Sequence, residues 1–465
     1  MLKVLDVIIA LDLEVVDRKL PELQESIIGF SIDTRTLKKG EVYIALKGES
    51  TDGHLFIKQA IEKGASAIIL EDEDYVGDCL HMTYFLVPNT LKALEKIAMA
   101  YRVKVNPSSK TIALTGSVGK TTLKEFLNTI ISPFLKTTCS QKSFNNHIGV
   151  PLTLCSLAED TQCSIFEIGM NHKGEIKPLS YMVSPDVAII TAIEPAHIGH
   201  LGSLEAIAHE KADILEGILP GGTAILPIDS PFCDFLIEKA LKRATKIITL
   251  GKKEGATIRL ISTTYTEKGV KIWARIWGKE YTWEMPVFAE HYVMLSLFAV
   301  AIAVELNLDV YDLIPYLSNL KPLPGRGSIE KISLSNGRDI TVIDDSYNAN
   351  LSSMCAGLSV LNQLEGMRKI AVLGDMAELG DFKDSILKDL ADHIKTLNID
   401  AIFTVGESIH TIEKHIHQNC RFFHKNTVQE MTPDVLDFLK NQDMIFVKGS
   451  NVNKLSYLIE QLKAG

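Results

Sequence analysis

Apolar positions along the chain fall into short runs separated by stretches of helical period, and this alternation recurs from end to end. Short β-branched runs bounded by turn residues read as strands buried on both faces. Glu41–Leu46 and Ala67–Leu70 are the first such pair, with a helical pattern over His54–Lys63 between them that Gly64 closes. A helix at Leu91–Tyr101 and a Pro/Ser loop at Asn106–Ser109 lead to further apolar runs at Thr111–Leu114, Cys163–Ile168, Val187–Thr191, Thr223–Leu226 and Lys246–Leu250. Residues 256–286 change period. Thr257, Arg259 and Ile261, then Val270, Ile272 and Ala274, alternate with their neighbours as antiparallel strands do. A helix follows from about His291 to Leu306, and a last set of strands is predicted at Ile340–Ile343, Ile370–Leu373, Ala401–Thr404 and Met444–Val447.

Strands alternating with helices predict α/β units with parallel sheets. Breaks at Val87-Pro88-Asn89 and Leu323-Pro324-Gly325 divide the chain into residues 1–88, 89–322 and 323–465. The expected architecture is a smaller N-terminal α/β domain, a central doubly wound, mostly parallel sheet of the P-loop type, and a C-terminal Rossmann-like α/β domain. A length of 465 residues suits about three domains.

Composition narrows the classes. Hydrophobic residues make up 46% and charged residues 23%, which excludes a disordered or collagenous chain. The net charge of −10 argues against general nucleic-acid affinity but leaves room for a local basic cleft. The seven cysteines are scattered and form no C-x-x-C pair, which argues against a disulfide framework or a structural zinc site. The segment Met1–Leu13 lacks the plan of a signal peptide, and the apolar stretch Tyr292–Val304 is too short for a bilayer span and reads as a buried helix. The expected location is the cytoplasm, with no membrane span.

The strongest local signal is Thr115-Gly116-Ser117-Val118-Gly119-Lys120-Thr121-Thr122, between the Thr111–Leu114 strand and a helix over Leu123–Ile131. Glycines let backbone N–H groups turn onto phosphate oxygens, and the helix N-terminus adds its positive end. Lys120 would reach the β- and γ-phosphates and the Thr121 hydroxyl would ligate Mg²⁺. The first Gly of the longer Walker pattern is replaced by Leu114, so an ordinary Gly-containing turn is the competing reading. Glu167, at the mouth of a neighbouring strand, suits a magnesium carboxylate, although a lone Glu there is commonplace. His197-x-x-His200 is weak as a zinc pattern, Glu194 and His200 are minor ligand candidates, and Lys211 by pattern alone is a surface lysine.

Taken in order, these residues resemble the Mur ligases, the ATP-dependent amide ligases of peptidoglycan synthesis. The resemblance spans nearly the whole chain. Asp33-Thr34-Arg35, Lys39-Gly40, Tyr43-Ile44-Ala45-Leu46, Gly48 and Asp52-Gly53-His54 look like the family's uridine-nucleotide domain. The phosphate loop, Ser143-Phe144-Asn145-Asn146, Gly149-Val150-Pro151, Glu167-Ile168-Gly169-Met170-Asn171, Pro195-Ala196-His197 and Gly202-Ser203 match the central block. Pro324-Gly325-Arg326-Gly327, Asp344-Asp345-Ser346-Tyr347-Asn348-Ala349-Asn350, the run Leu373-Gly374-Asp375-Met376 with Glu378-Leu379-Gly380, and Val447-Lys448-Gly449-Ser450 match the third.

The resemblance points to the branch that adds D-alanyl-D-alanine to a UDP-N-acetylmuramoyl-tripeptide through an acyl phosphate. It implies ATP and paired Mg²⁺ ions as cofactors, with Thr121 and Glu167 on a first ion and His197 on a second. Lys211, in Glu210-Lys211-Ala212, matches the lysine that is carbamylated in the family. Arg326 would contact the γ-phosphate and Asp345 the ribose, while Asn348 and Asn350 would line the nucleotide and acceptor side. Ser31, Thr34 and Arg35 would approach the UDP part, and Asn145 and Asn146 the sugar or peptide. No nucleic acid is implied as partner, and a monomer is expected.

Several positions depart from the family pattern. The family's H-N-x-x-N run, which contacts adenine, reads His291-Tyr292-Val293-Met294-Leu295, leaving His291 in place and Tyr292 available to stack on the base. Pro227-Ile228-Asp229 replaces an N-A-D-like stretch, Leu351 replaces Pro, and Asn451 replaces Arg. Two alternatives stay open: a sibling muropeptide or folylpolyglutamate-type ligase, and a non-catalytic nucleotide-binding module. Against the third block's site reading stands plain turn and helix-cap chemistry, which its Asp/Ser/Asn composition also suits.

Overall fold

The computed structural model describes residues 2–13, 24–48, 51–105, 107–141, 144–266, 269–335, 337–364, 367–416 and 420–464. Met1, Asn106 and Ser143, which enter the sequence reading, lie outside the described residues.

The chain forms three sheets. The first has four parallel strands, in the order Phe30–Ser31, Val42–Ile44, Ala67–Leu70 and Thr83–Leu86. The second has nine strands. Thr137–Cys139, Cys163–Glu167, Lys110–Thr115, Val187–Ile190, Thr223–Pro227 and Lys246–Gly251 run parallel. Ile258–Thr266 continues parallel to the last of these, and Gly269–Ile276 and Lys279–Met285 complete an antiparallel meander. In the third sheet Ser328–Ser333 is antiparallel to Asp339–Asp345. Met444–Lys448, Lys369–Gly374, Ala401–Val405 and Arg421–Lys425 then follow in parallel.

Burial explains this division. Every residue of Cys163–Glu167, Val187–Ile190 and Thr223–Pro227 is buried, as strands covered by helices on both faces must be. Gly269–Ile276 instead alternates buried with exposed positions, so one face of the meander is wet. Glu290–Glu305 is the predicted buried helix; its residues Tyr292, Val293 and Leu295 through Ala303 are all buried. It packs against the helix Lys120–Ile131.

Lys110–Thr115 lies between Cys163–Glu167 and Val187–Ile190. The chain therefore leaves this strand toward one side of the sheet and later returns on the other. Such a switch point opens a crevice beyond the carboxyl ends of the strands. The phosphate loop, Glu167 and the segment leading to His197 all leave strands at that end.

The helix Thr90–Lys104 joins the first two sheets. Asn89 caps it through Lys92 N–H at 2.8 Å, and it packs against Val4–Ala10 on one side and Gly149–Leu154 and Ile176–Val183 on the other. Glu71 fastens its start, accepting from Thr90 N–H and Thr90 Oγ1 at 2.5 and 3.0 Å.

Five strands are absent from the sequence reading: Phe30–Ser31, Thr83–Leu86, Thr137–Cys139, Ser328–Ser333 and Arg421–Lys425. All five are edge strands. An edge strand has a neighbour on one side only, and its weak apolar signal reflects that. Boundaries also shift. His54–Lys63 is a 3₁₀ turn, Gly53–Phe56, followed by the helix Ile57–Glu62. The helix predicted from Leu123 already starts at Lys120, inside the phosphate motif. After Ser203 comes the helix Leu204–Ala212, which carries Lys211, and a 3₁₀ turn, Asp213–Gly217. All seven cysteines are free.

In the third sheet, Asp375 organises the turn after Ala401–Val405. Its carboxylate accepts from the N–H groups of Glu407, Ser408 and Ile409 at 2.8, 3.1 and 2.7 Å, and from Ser408 Oγ at 3.0 Å. Asp375→Ala should strand these donors and lower stability by about 2–3 kcal/mol, read as an earlier urea transition.

Candidate active site

The phosphate loop is built by two glycines and tied down by its neighbour. Gly116 has φ +149°, and a Cβ there would sit 1.9 Å from Thr191 Oγ1. Gly119, at φ +83°, is the N-cap residue of the Lys120–Ile131 helix. Ser117 N–H donates to Ala192 O at 2.8 Å, Ser117 Oγ to Glu194 O at 2.8 Å, and Thr191 Oγ1 to Val118 O at 2.6 Å. The segment after the strand Val187–Ile190 thus fixes the loop's shape, leaving the helix N-terminus free to face an anion. Thr122 is buried in the first helical turn. Lys120 Nζ bends back onto Gly116 O at 2.6 Å.

Cations converge here. Burial lowers the pKa of Lys120; Glu167 opposes that shift and Arg326 reinforces it. Lys211 is only 1% exposed, and burial together with Lys120 holds its pKa well below the ordinary lysine range. The adjacent Glu210 opposes that shift, while its carboxylate accepts from Gly174 and Ile176 N–H at 2.7 and 3.0 Å. Arg326, from the third block, donates from Nη2 to Thr121 Oγ1 at 3.3 Å and stacks 4.2 Å over the Tyr347 ring.

Glu167 is the carboxylate facing this charge. It is 1% exposed; Oε1 accepts from Asn145 Nδ2 at 2.8 Å, while Oε2 is buried without a hydrogen-bond partner. Glu194 Oε2 is likewise buried and unpartnered, and burial raises that carboxyl's pKa. Among the described residues no three His, Cys, Asp or Glu side chains cluster to hold a metal by themselves. Magnesium does not require such a cage, since it takes one or two protein oxygens and completes its shell with phosphate and water. An orphaned buried carboxylate oxygen beside a hydroxyl and a phosphate loop fits that donor set.

His197 stands at φ +61°, and its Nδ1 is hydrogen-bonded to Glu378 Oε2 of the third block. Burial lowers its pKa, with Lys120 and Lys211 adding to the shift and Glu378 opposing it.

A second cluster adjoins the first. Asp345 and Lys448 are register partners on adjacent strands. Lys448 Nζ, 2% exposed, donates to Asp345 Oδ2 at 2.6 Å and to Asn348 O at 2.8 Å. Burial raises the Asp345 pKa against the pull of Lys448 and Arg326. His291 reaches the cleft surface near Lys448, and the surrounding protein together with that charge lowers its pKa to about 4, so the ring is neutral at pH 7. Tyr292 does not stand free to stack on a base: it is 1% exposed, and its hydroxyl donates to Arg326 O.

The remaining predicted residues are held locally. Asn146 Oδ1 accepts from Ile148 and Gly149 N–H at 3.2 and 2.9 Å, and Asn350 caps the helix Leu351–Gln363 through Ser353 N–H at 2.9 Å. Asn348 Oδ1 accepts from Ala349 N–H at 2.9 Å. In the first domain Ser31 Oγ donates to Asp33 O at 3.1 Å and Thr34 Oγ1 to Gln59 Oε1 at 2.5 Å. Arg35 pairs with Asp33 at 2.7 Å while its side chain is 86% exposed. Among the described residues, none of these three bonds the cleft. Sequence reasoning assigned no role to Lys448 or Glu378, although both lie in motifs it quoted. The signal for Lys448 is its place at a strand's carboxyl end, beside Asp345.

Groups placed this way belong to a protein that handles a nucleoside polyphosphate across a domain cleft. Comparison with known proteins narrows that class, and the chain belongs to the Mur ligase family. The family's catalytic domain matches residues 26–112, its middle domain residues 114–303, and the Mur ligase glutamate ligase domain residues 329–451. The chain is 34% identical over 448 residues to UDP-N-acetylmuramoyl-tripeptide–D-alanyl-D-alanine ligase of Bacillus subtilis, covering 95% of this chain and 94% of that one. The Rickettsia prowazekii ligase of the same name is 32% identical over 431 residues, with 92% and 93% coverage. MurF from Acinetobacter baumannii superposes with a TM-score of 0.87 at 29% identity, covering 100% of this chain and 99% of that one.

Gly116→Ala should abolish the loop's shape, because the added Cβ collides with Thr191 Oγ1. Affinity for a nucleoside triphosphate in titration calorimetry is expected to fall at least about tenfold, with the circular dichroism spectrum unchanged.

Proposed function

We propose that this chain is an ATP-dependent amide ligase that joins D-alanyl-D-alanine to UDP-N-acetylmuramoyl-tripeptide, giving UDP-N-acetylmuramoyl-pentapeptide, ADP and phosphate in peptidoglycan precursor synthesis. Near-full-length similarity to ligases of that name supports the reaction. The observation that carries the chemistry is the convergence of Lys120, Lys211 and Arg326 on the loop and on the half-satisfied Glu167.

The residues suit a carboxylate that must be activated before an amine can attack it. The tripeptide carboxylate attacks the γ-phosphorus, the phosphoryl group passes from ADP to that oxygen, and an acyl phosphate results. The dipeptide amine then adds to the acyl carbon, phosphate leaves, and the amine's proton is lost. Lys120 and the loop N–H groups hold the β- and γ-phosphates, and Arg326 meets the charge on the transferring group. Thr121 and Glu167 would hold a first magnesium ion and His197 a second; bound magnesium would neutralise phosphate charge and polarise the phosphoryl group. Asp345 and His291 lie on the nucleoside side. Asn348 and Asn350 line the nucleotide and acceptor side, Asn145 and Asn146 the sugar or peptide, and Ser31, Thr34 and Arg35 approach the uridine nucleotide.

In this reading residues 1–88 bind the uridine nucleotide, 89–322 bind ATP, and 323–465 close over both, excluding water from the acyl phosphate. Among the described residues no helix is long and apolar enough to cross a membrane. The enzyme works as a cytoplasmic monomer without nucleic acid.

Lys211 fits a carbamate. Burial pulls this amine's pKa down, which favours its neutral, nucleophilic form. Its nitrogen adds to carbon dioxide, an N–C bond forms and one proton leaves, placing an anion among Lys120, Arg326 and His197. Lys211→Ala should lower kcat about 10- to 100-fold, with partial restoration by acetate or formate, and the wild type should slow in carbon-dioxide-free buffer. Insensitivity to both treatments would contradict the carbamate.

The function itself is tested by phosphate release from Mg-ATP. Release should require both the UDP-muramoyl-tripeptide and D-alanyl-D-alanine, with the pentapeptide product seen by mass spectrometry. Release with a shorter muropeptide and a free amino acid alone would make the chain a sibling ligase.

A further inference from the structure

Two non-glycine residues in left-handed backbone conformation meet across the central and C-terminal domains: His197 at φ +61° and Glu378 at φ +61°. Strain of this kind persists only where its surroundings enforce it, and it marks functional joints. Here the surroundings are visible. Gly199 N–H donates to Glu378 O at 3.0 Å, and the chain at Gly199 packs directly on Gly380. A Cβ on Gly199 would lie 2.5 Å from Glu378 O and 2.8 Å from Gly380 N, and a Cβ on Gly380 would lie 2.9 Å from Gly199 Cα. The two backbones touch because neither residue has a side chain. This contact delivers the Glu378 carboxylate to His197 Nδ1.

A carboxylate only accepts, so the Nδ1 it meets carries the proton. Nε2 has no hydrogen-bond partner among the described residues, and the ring lies close enough to Lys120 and Lys211 to be influenced by both. We propose that Glu378 is a positioning residue: from the C-terminal domain it fixes His197 in the Nδ1–H tautomer, so that the Nε2 lone pair is presented to the cleft only while that domain is docked. That Nε2 serves phosphoryl transfer rests on the ligase reading; the tautomer and its dependence on docking do not. A carboxylate behind a ring nitrogen orients the ring and raises the basicity of the opposite one. Closure and the readiness of His197 are then one event.

The test uses the full chain with nitrogen-15-labelled histidine, the His197 ring assigned with a His197→Gln variant. In the wild type, Nδ1 should be protonated and Nε2 should carry the lone pair. Glu378→Ala should shift the ring toward the Nε2–H tautomer that free imidazole side chains favour. Gly199→Ala should do the same with Glu378 intact, because the added Cβ forces the two loops apart. Glu378→Gln should keep the wild-type pattern, since its amide oxygen still accepts from Nδ1. In turnover, Glu378→Ala should lose about 10- to 100-fold in kcat with little change in KM for ATP, and Glu378→Gln should recover most of it. Glu378 is a partly exposed loop residue, so these variants should fold. An unchanged ring spectrum in Glu378→Ala overturns the proposal, as does an unchanged kcat. The spectrum needs no substrate: the expected tautomer shift in a protein without dipeptide-dependent turnover supports this proposal and removes the ligase reading.

Discussion

Excess positive charge held out of water is the constraint around which the cleft is arranged. Lys120 and Arg326 carry that charge, Lys211 is a buried amine beside Lys120, and Glu167 is the carboxylate that faces them. Burying like charges together is costly unless an anion completes the set. The fold lowers the cost by depressing the lysine pKa values and by setting Glu167 beside Lys120, while the unpaired Glu167 Oε2 adds a cost of its own. A polyphosphate with a metal ion would supply the missing negative charge and a cation for Glu167 together. The site is thus unfavourable alone and complete when loaded, which directs binding energy toward the charge that moves in phosphoryl transfer.

The rest of the architecture serves that arrangement. The switch point on either side of Lys110–Thr115 brings three strand ends together, so the loop, Glu167 and the Thr191–His197 segment come from one rigid sheet. Ser117 and Thr191 lock the loop before any ligand arrives. The third domain contributes Arg326, the Asp345–Lys448 pair and Glu378 from across the cleft. Tyr292 ties that domain's Arg326 carbonyl to the buried helix of the central domain. A residue lost from the family's adenine-contacting pattern thereby works as a joint between domains.

Much of the architecture was legible in the residues because strands buried on both faces have to be apolar. Ala67–Leu70 was read to the residue, and most core strands of the central and third sheets to within one or two. Five of the six edge strands escaped because half their surroundings are solvent or loop, and Thr137–Cys139 carries no apolar run at all. Within the site, Lys120, Glu167, His197, Lys211 and Arg326 were all named from sequence, and the structure brings them together. Their partners were not legible. Nothing local in the sequence says that Glu378 meets a residue 181 positions away, or that Lys448 stands opposite Asp345, because register and domain docking decide both. Asn146 and Asn350 illustrate the reverse case: of two side chains expected to face ligand, Asn350 caps the helix it precedes and Asn146 accepts from Gly149 N–H at the start of the next helix.

The central claim is that this charge arrangement activates a carboxylate by making it an acyl phosphate. The most direct measurement follows the carboxylate oxygen. A tripeptide substrate labelled with heavy oxygen in both oxygens of its reacting carboxyl group is ligated, and the released phosphate is analysed by mass spectrometry. The account predicts one labelled oxygen in each phosphate, the other remaining in the new amide carbonyl, and none in the adenosine nucleotide. Unlabelled phosphate, or label recovered in AMP, would contradict it.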